Sequence, residues 1–377
     1  MAVAPRPLPS LPAGMACEAM AQGGPRPAPP PRIHALLQPT PGFRYALWSR
    51  LPTRTTIASF TMVVLMDSHE NSIVRSRRQC LRILGAGIAA MTVTHPEESS
   101  ATGAILRKIP KSGERLPVIG LGTYDAFDIG NSPGDRDAAK EVLKRFVELG
   151  GAIVDSSPMY GRAESVIGDL STELNVNNKL WLATKVWTSG RESGIAQMND
   201  SLHKMRREKI ELMQVHNLQD AKTHLGTLRD WKKSGKIKYL GVTHYHAGAY
   251  DMLEQAIKSG EMDFVQFNYS IVEREAEQRL LKLAADVGTA VIANRPYANG
   301  SVFSTVKGKP LPAWASEIDC TSWGPFFLKY ILGHPAVTCV IPATRNPKHL
   351  IDNMGAGQGR LPDEAMRRKM AAHFAAL

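Results

Sequence analysis

From residue 152 to residue 294 the chain repeats one pattern: a short apolar run, a polar residue where the run stops, a polar loop, and an amphipathic stretch. The runs end near Asp155, Lys185, His216, Thr243, Asn268 and Asn294, spaced 25–31 residues apart. That spacing is the length of one strand–helix unit. Near-continuous apolar runs alternating with helical patterns imply parallel strands covered on their outer face. The runs expected as strands are Val118–Leu121, Ala152–Asp155, Leu180–Lys185, Ile210–His216, Ile237–Thr243, Phe264–Asn268, Ala290–Asn294 and Val337–Ile341. Helices are expected at Arg136–Leu149, Ala221–Ser234, Ala249–Ser259 and Arg274–Val287, with Gly at or just after their ends.

Eight such units in roughly 270 residues match the size of an α/β (β/α)8 barrel. Ahead of it, Ile105–Pro110 and Arg115–Ile119, split by Lys111-Ser-Gly-Glu114, read as a β-hairpin. An open doubly wound sheet is the competing architecture. It calls for a Gly-rich phosphate turn after the first strand, and Gly120-Leu-Gly122-Thr-Tyr lacks the third glycine and the helix behind it.

The organised pattern accounts for residues 104–377 of the 377. Residues 1–65 are Pro-dense, contain six Arg, no Lys and a single acid, Glu18, and show no sustained period. Such a segment buries too little to offset its ordering entropy, so it is expected to be disordered; a transit peptide is the alternative. Residues 66–103 read as an export signal and linker. Arg77-Arg78 with Leu81 and Arg82 resembles a twin-arginine signal, with Cys80 departing from the pattern, followed by the mildly apolar Ile83–Val93. Met66 would give that signal an n-region of ordinary length, so translation from Met66 is expected. The periplasm, reached through export machinery that reads Arg77 and Arg78, is the expected location; the cytoplasm is the alternative.

Of the formal charge of +11, the excess over residues 104–377 is spread among acids and forms no dense basic stripe, which argues against nucleic acid and suits an anionic cofactor. The four Cys show no C-x-x-C and no H-E-x-x-H occurs, so no metal is expected.

In a parallel barrel all strand C-termini share one rim, where chemistry sits. Asp155, Lys185 and His216 end three successive strands, and Tyr160 lies on the loop just past the first. Each has a bland reading alone: a rim ion pair, a satisfied polar residue, a packing ring. Together they can make a general acid. A phenol with a pKa near ~10 is expected to be lowered by the Lys185 cation, with Asp155 holding that cation and His216 orienting a substrate oxygen. No nucleophile motif accompanies them, which suits carbonyl reduction with hydride from a cofactor. A Schiff-base amine at Lys185 is a weaker alternative.

These residues resemble the aldo/keto reductase family. The likeness runs from about Ile105 to Asn353, on Asp155-Ser-Ser-Pro-Met-Tyr160-Gly-x-x-Glu164, Thr184-Lys185, Val215-His216, Gly241-Val-Thr243, Gln266-Phe-Asn268-Tyr269 and Ile341-Pro-Ala-Thr-Arg345-Asn-Pro347. It implies a nicotinamide cofactor, NADP with NAD as the alternative, and an Asp155, Tyr160, Lys185 and His216 tetrad. It also implies that Thr243, Gln266 and Asn268 meet the nicotinamide amide, and that Thr344, Arg345 and Asn353 hold the adenosine phosphate end. Thr344 and Arg345 precede a helix expected to start at Pro347, and helix N-termini attract phosphate. The chain departs from the pattern at His244, at Asn294-Arg295 where an aromatic is usual, at Ala343 and at His349. Arg295 is the candidate to stack on the nicotinamide in place of the aromatic.

Tyr124, Phe127, Trp187, Tyr297 and Trp314 are expected to line the substrate pocket, favouring an apolar or aromatic small-molecule carbonyl. Two functions stay open: an NAD(P)H-dependent carbonyl reductase, or a non-catalytic nicotinamide-binding redox sensor or partner protein.

Overall fold

A computed structural model describes the backbone of residues 98–99 and all of residues 103–377. The disordered, transit-peptide and export-signal readings, with Arg77 and Arg78, lie outside the described residues.

The strands are β1 (Glu98–Ser99), β2 (Ile105–Lys108), β3 (Arg115–Pro117), β4 (Leu121–Gly122), β5 (Ile153–Asp155), β6 (Trp181–Val186), β7 (Ile210–His216), β8 (Ile237–Thr243), β9 (Phe264–Asn268), β10 (Ala290–Asn294) and β11 (Val337–Val340). β4 to β11 form one parallel sheet in chain order. Parallel bridges Ile119↔Val340 and Gly122↔Ala343 join its two edges and close the barrel. The seam requires Gly122, since a Cβ there would stand 2.8 Å from the Ile341 carbonyl oxygen. The (β/α)8 architecture is thus the one expected, and the first barrel strand is shorter and later than expected, with Ile119 bridging Val340 just ahead of it.

The helices are α1 (Pro133–Glu148), α2 (Ala163–Glu173), α3 (Arg191–Lys204), α4 (Ala221–Lys233), α5 (Tyr250–Lys258), α6 (Leu280–Val287), α7 (Ser301–Thr305), α8 (Trp323–Leu332), α9 (Pro347–Gly355) and α10 (Glu364–Ala375). α1 starts earlier than expected, at a Pro whose fixed φ suits the first turn. The helix expected over 274–287 is broken: Glu275–Glu277 is a 3-10 turn, and Arg279 leaves helical geometry with φ −140° before α6 begins.

The hairpin β2–β3 is antiparallel, as expected, and gains β1 along the free edge of β2 (Glu98↔Leu106). Its Ile109 and Leu116 pack with the inward residues Ile153, Trp181, Ala183, Leu212, Tyr239, Phe264, Ala290, Ile292 and Cys339. Lys111 Nζ donates to the carbonyls of Gly260 (2.6 Å) and Met262 (2.7 Å), and Tyr239 Oη donates to Ser112 Oγ at 2.9 Å. The hairpin therefore stoppers one end of the barrel with apolar side chains. Side chains alternate along a strand, so residues two positions further along still face inward. At the other end those positions are polar: Asp155, Lys185, Gln214, His216, Thr243, Gln266 and Asn268.

Candidate active site

The strand ends bring Asp155, Lys185 and His216 to one rim, and the β5–α2 loop brings Tyr160 over them. Tyr160 N–H donates to the Ser157 carbonyl at 3.0 Å, making a tight turn. Gly161 continues it at φ +57°, where a Cβ would collide with the Asp128 carboxyl at 2.3 Å. Asp128 Oδ1 then accepts from Arg162 N–H at 3.0 Å and ties the loop down.

Lys185 Nζ donates to Asp155 Oδ2 and to the Ser156 carbonyl, both at 2.6 Å. It lies 4.8 Å from the centre of the Tyr160 ring. The Tyr160 ring stands edge-on to His216 at 5.8 Å and to Tyr124 at 5.2 Å. All four expected tetrad residues are therefore neighbours.

Their electrostatics differ in one respect from expectation. Burial is the largest influence on Tyr160 and raises its pKa; the Lys185 ammonium pulls the other way, Asp155 adds to the rise, and the net direction is upward. The phenol is held protonated rather than made more acidic in the resting site. Burial is also the largest influence on Lys185 and pulls its pKa down, but Asp155 and Tyr160 outweigh it, leaving the net shift upward. A fully buried ammonium held protonated beside Asp155 is a poor Schiff-base nucleophile, which counts against that alternative. His216 is pushed down to about 2 by burial, then by Lys185 and His244, so its imidazole is neutral.

Asp155 Oδ1 accepts from two amides, Gln266 Nε2 at 2.9 Å and Gln214 Nε2 at 3.2 Å. Gln266 Oε1 in turn accepts from Thr243 Oγ1 (3.1 Å) and Asn294 Nδ2 (3.2 Å), and Asn294 Nδ2 also reaches the His244 carbonyl (3.0 Å). These partners set which way each amide points, and they leave Asn294 Oδ1 buried with no partner among the described residues. An orphaned acceptor beside Thr243 and Gln266 fits a nicotinamide, whose carboxamide offers N–H donors and one acceptor. Gln214 and Ser157 were missed by the sequence reading. Gln214 was legible by alternation, two residues before His216 on the same strand; Ser157 carried no signal of its own.

Other expected residues fall in three places. Asn268 is buried and accepts from Tyr250 Oη through its carbonyl (2.8 Å) and its Oδ1 (3.2 Å). Arg295, at φ +51°, donates to the Tyr245 carbonyl at 3.1 Å and lies 3.8 Å from Glu273 Oε1. At the start of α9, Thr344 Oγ1 accepts from Asn346 N–H (3.0 Å), and Asn346 caps the helix through Lys348 N–H (2.9 Å). Arg345 and Lys348 are exposed there, while Asn353 further along α9 is buried and accepts from Tyr297 Oη at 2.6 Å.

The expected pocket is only partly assembled. Tyr124 and Trp187 are exposed beside the tetrad, Trp187 at 6.5 Å from the His216 ring. Phe127 is 0% exposed in the outer core and cannot face a substrate. Trp314 packs instead on Phe326 of α8 and His373 of α10, under Lys369 Nζ at 4.4 Å. Tyr297 packs on Phe303 at 4.8 Å and turns its hydroxyl to Asn353. Loop aromatics were assigned to the rim from sequence, but neighbouring helices offered some of them a drier seat.

The model of the aldo/keto reductase family matches residues 118–372. Among curated proteins, the chain is 26% identical over 314 residues to the aldo-keto reductase str7 of Strobilurus tenacellus, covering 70% of this chain and 91% of that one. It is 24% identical over 245 residues to an NADH-specific methylglyoxal reductase of Escherichia coli, covering 56% and 73%. Among solved structures, an aldo/keto reductase from Klebsiella pneumoniae in complex with NADP and acetate superposes with a TM-score of 0.57 at 20% identity, covering 70% and 93%. At that identity the superposition speaks for the fold.

Proposed function

Since this chain belongs to the aldo/keto reductase family of NAD(P)H-dependent oxidoreductases, we propose that it reduces small apolar or aromatic aldehydes and ketones, with Tyr160 as the proton donor. The observation that carries this reading is the placement of Lys185 Nζ, 2.6 Å from Asp155 Oδ2 and 4.8 Å from the Tyr160 ring. When bound, a nicotinamide would supply the hydride that the carbonyl carbon takes up. Tyr160 gives its proton to the carbonyl oxygen, so an alcohol forms and a phenolate is left. A protonated phenol at rest is the state a donor needs, and the adjacent ammonium stabilises the phenolate only as it forms. An interaction that strengthens along the reaction lowers the barrier without tightening the resting state. Neutral His216 orients the carbonyl oxygen by a hydrogen bond.

Thr243, Gln266 and Asn294 would hold the carboxamide. Arg345 and Lys348 at the α9 N-terminus would hold the adenosine phosphate, an arrangement that favours NADP over NAD. Exposed Tyr124, Met159 and Trp187 support an apolar carbonyl substrate. Export of the folded enzyme by the twin-arginine route, through Arg77 and Arg78, is part of the same proposal.

The test is NADPH oxidation against a panel of aldehydes, with Tyr160→Phe beside the wild type and cofactor binding followed by fluorescence. Turnover that is lost in Tyr160→Phe while binding persists supports the reading. Binding without turnover in both proteins would favour a cofactor-binding sensor instead.

A further inference from the structure

We propose that Ser157 is a positioning residue that sets the tautomer of His216, presenting Nε2–H to the carbonyl oxygen; this rests on the reductase reading above. Ser157 Oγ lies 2.9 Å from His216 Nδ1, and both residues are buried. The same Oγ accepts from Met159 N–H at 3.3 Å. With a lone pair used there, the hydroxyl proton has one acceptor among the described residues, His216 Nδ1. Were Nδ1 to carry the ring proton, Oγ would accept from both N–H groups and the buried hydroxyl proton would have no acceptor among the described residues.

The imidazole is neutral, so its single proton must then sit on Nε2. Nε2 has no partner among the described residues and is not among the buried orphan atoms, so it is open to the mouth. An N–H there can donate to a substrate oxygen that gains negative charge; a bare nitrogen would repel it. Ser157 also holds the other half of the site, because its carbonyl accepts the Tyr160 N–H at 3.0 Å. One residue thus fixes the turn of the proton donor through its backbone and the orientation of the imidazole through its side chain.

Two-bond 1H–15N correlation spectra of the labelled wild-type protein read the tautomer directly, with His216 identified by its loss in His216→Gln. The expected result is a protonated Nε2 and an unprotonated Nδ1. In Ser157→Ala both tautomers should appear, with kcat reduced on the order of 10-fold, well short of the ~10⁴-fold loss of a fully wrong tautomer, and KM for NADPH unchanged. Ser157→Cys, which keeps a weak donor, should fall between. A protonated Nδ1 in the wild type overturns the proposal, as does Ser157→Ala with wild-type spectra and kcat. The wild-type spectrum decides even if Ser157→Ala does not fold. Because it requires no turnover, it stays separate from any failure of the reductase reading.

Discussion

Lys185 Nζ and Asp155 Oδ2 are 2.6 Å apart, and neither side chain is more than 3% exposed. Both charges are out of water, so the pair persists only because each has further partners: the Ser156 carbonyl for the ammonium, and two glutamine amides for the carboxylate. Removing one partner of a buried pair leaves the other uncompensated.

Asp155→Asn should therefore destabilise the protein by about 3 kcal/mol as well as suppress turnover. Urea denaturation at pH 7 measures it. A loss under 1 kcal/mol would mean that the ammonium finds other compensation or is neutral.

Gly161→Ala tests the loop that carries Tyr160. The left-handed backbone alone disfavours a side chain by about 1–2 kcal/mol, and the new Cβ meets the Asp128 carboxyl. The variant should lose kcat through a displaced Tyr160, with NADPH affinity by fluorescence unchanged. Weakened cofactor binding with normal kcat would contradict this account.

The pH profile of reduction follows from two groups. His216 titrates at about 2 in the folded protein, below its ordinary 6.5, so kcat/KM should show no acid limb near pH 6.5. Tyr160 is raised above 10, so its loss as a donor should appear only in strongly alkaline solution. In stability, the depressed His216 acts the opposite way from a paired cation. The unfolded chain takes up a proton below pH 6.5 that the folded one refuses, so this contribution falls as pH drops through 6.5. An acid limb near 6.5 that vanishes in His216→Gln would refute the neutral imidazole.

Part of the protein's acid sensitivity should come from Glu277. Burial alone would raise its pKa. Hydrogen bonds from Arg274, Tyr330 and Tyr269 bring the net value down to about 2, and Arg367 of α10 lies 2.6 Å away. A carboxylate depressed on folding stabilises above its unfolded pKa of 4.5, and that stability is lost as pH falls from 4.5 toward 2. Glu277→Gln should lower the urea midpoint at pH 7 and flatten its decline between pH 4.5 and 2. An unchanged slope there would assign the acid sensitivity elsewhere.

The strand–helix repeat was readable because a strand that is covered on its outside and packed on its inside must be apolar on both faces. The closeness of Asp155, Lys185 and His216 was readable because they lie at strand ends, and a parallel barrel sends all such ends to one rim; Tyr160 sits on the loop just past the first. The family motif around Asp155 and Tyr160 pointed the same way. What sequence alone did not decide were matters of surroundings. Phe127 and Trp314 are aromatic and lie between the main barrel elements like Tyr124 and Trp187, yet Phe127 entered the outer core and Trp314, in a 3-10 turn, packed on α8 and α10. The direction of the Tyr160 shift also depends on tertiary structure, because desolvation opposes the nearby cation and its size is set by every segment packed around the ring. The amide chain through Gln214, Gln266 and Asn294 joins β7, β9 and β10 to Asp155 on β5. Alternation along a strand specifies which way a side chain faces; only the closed barrel specifies what it meets there.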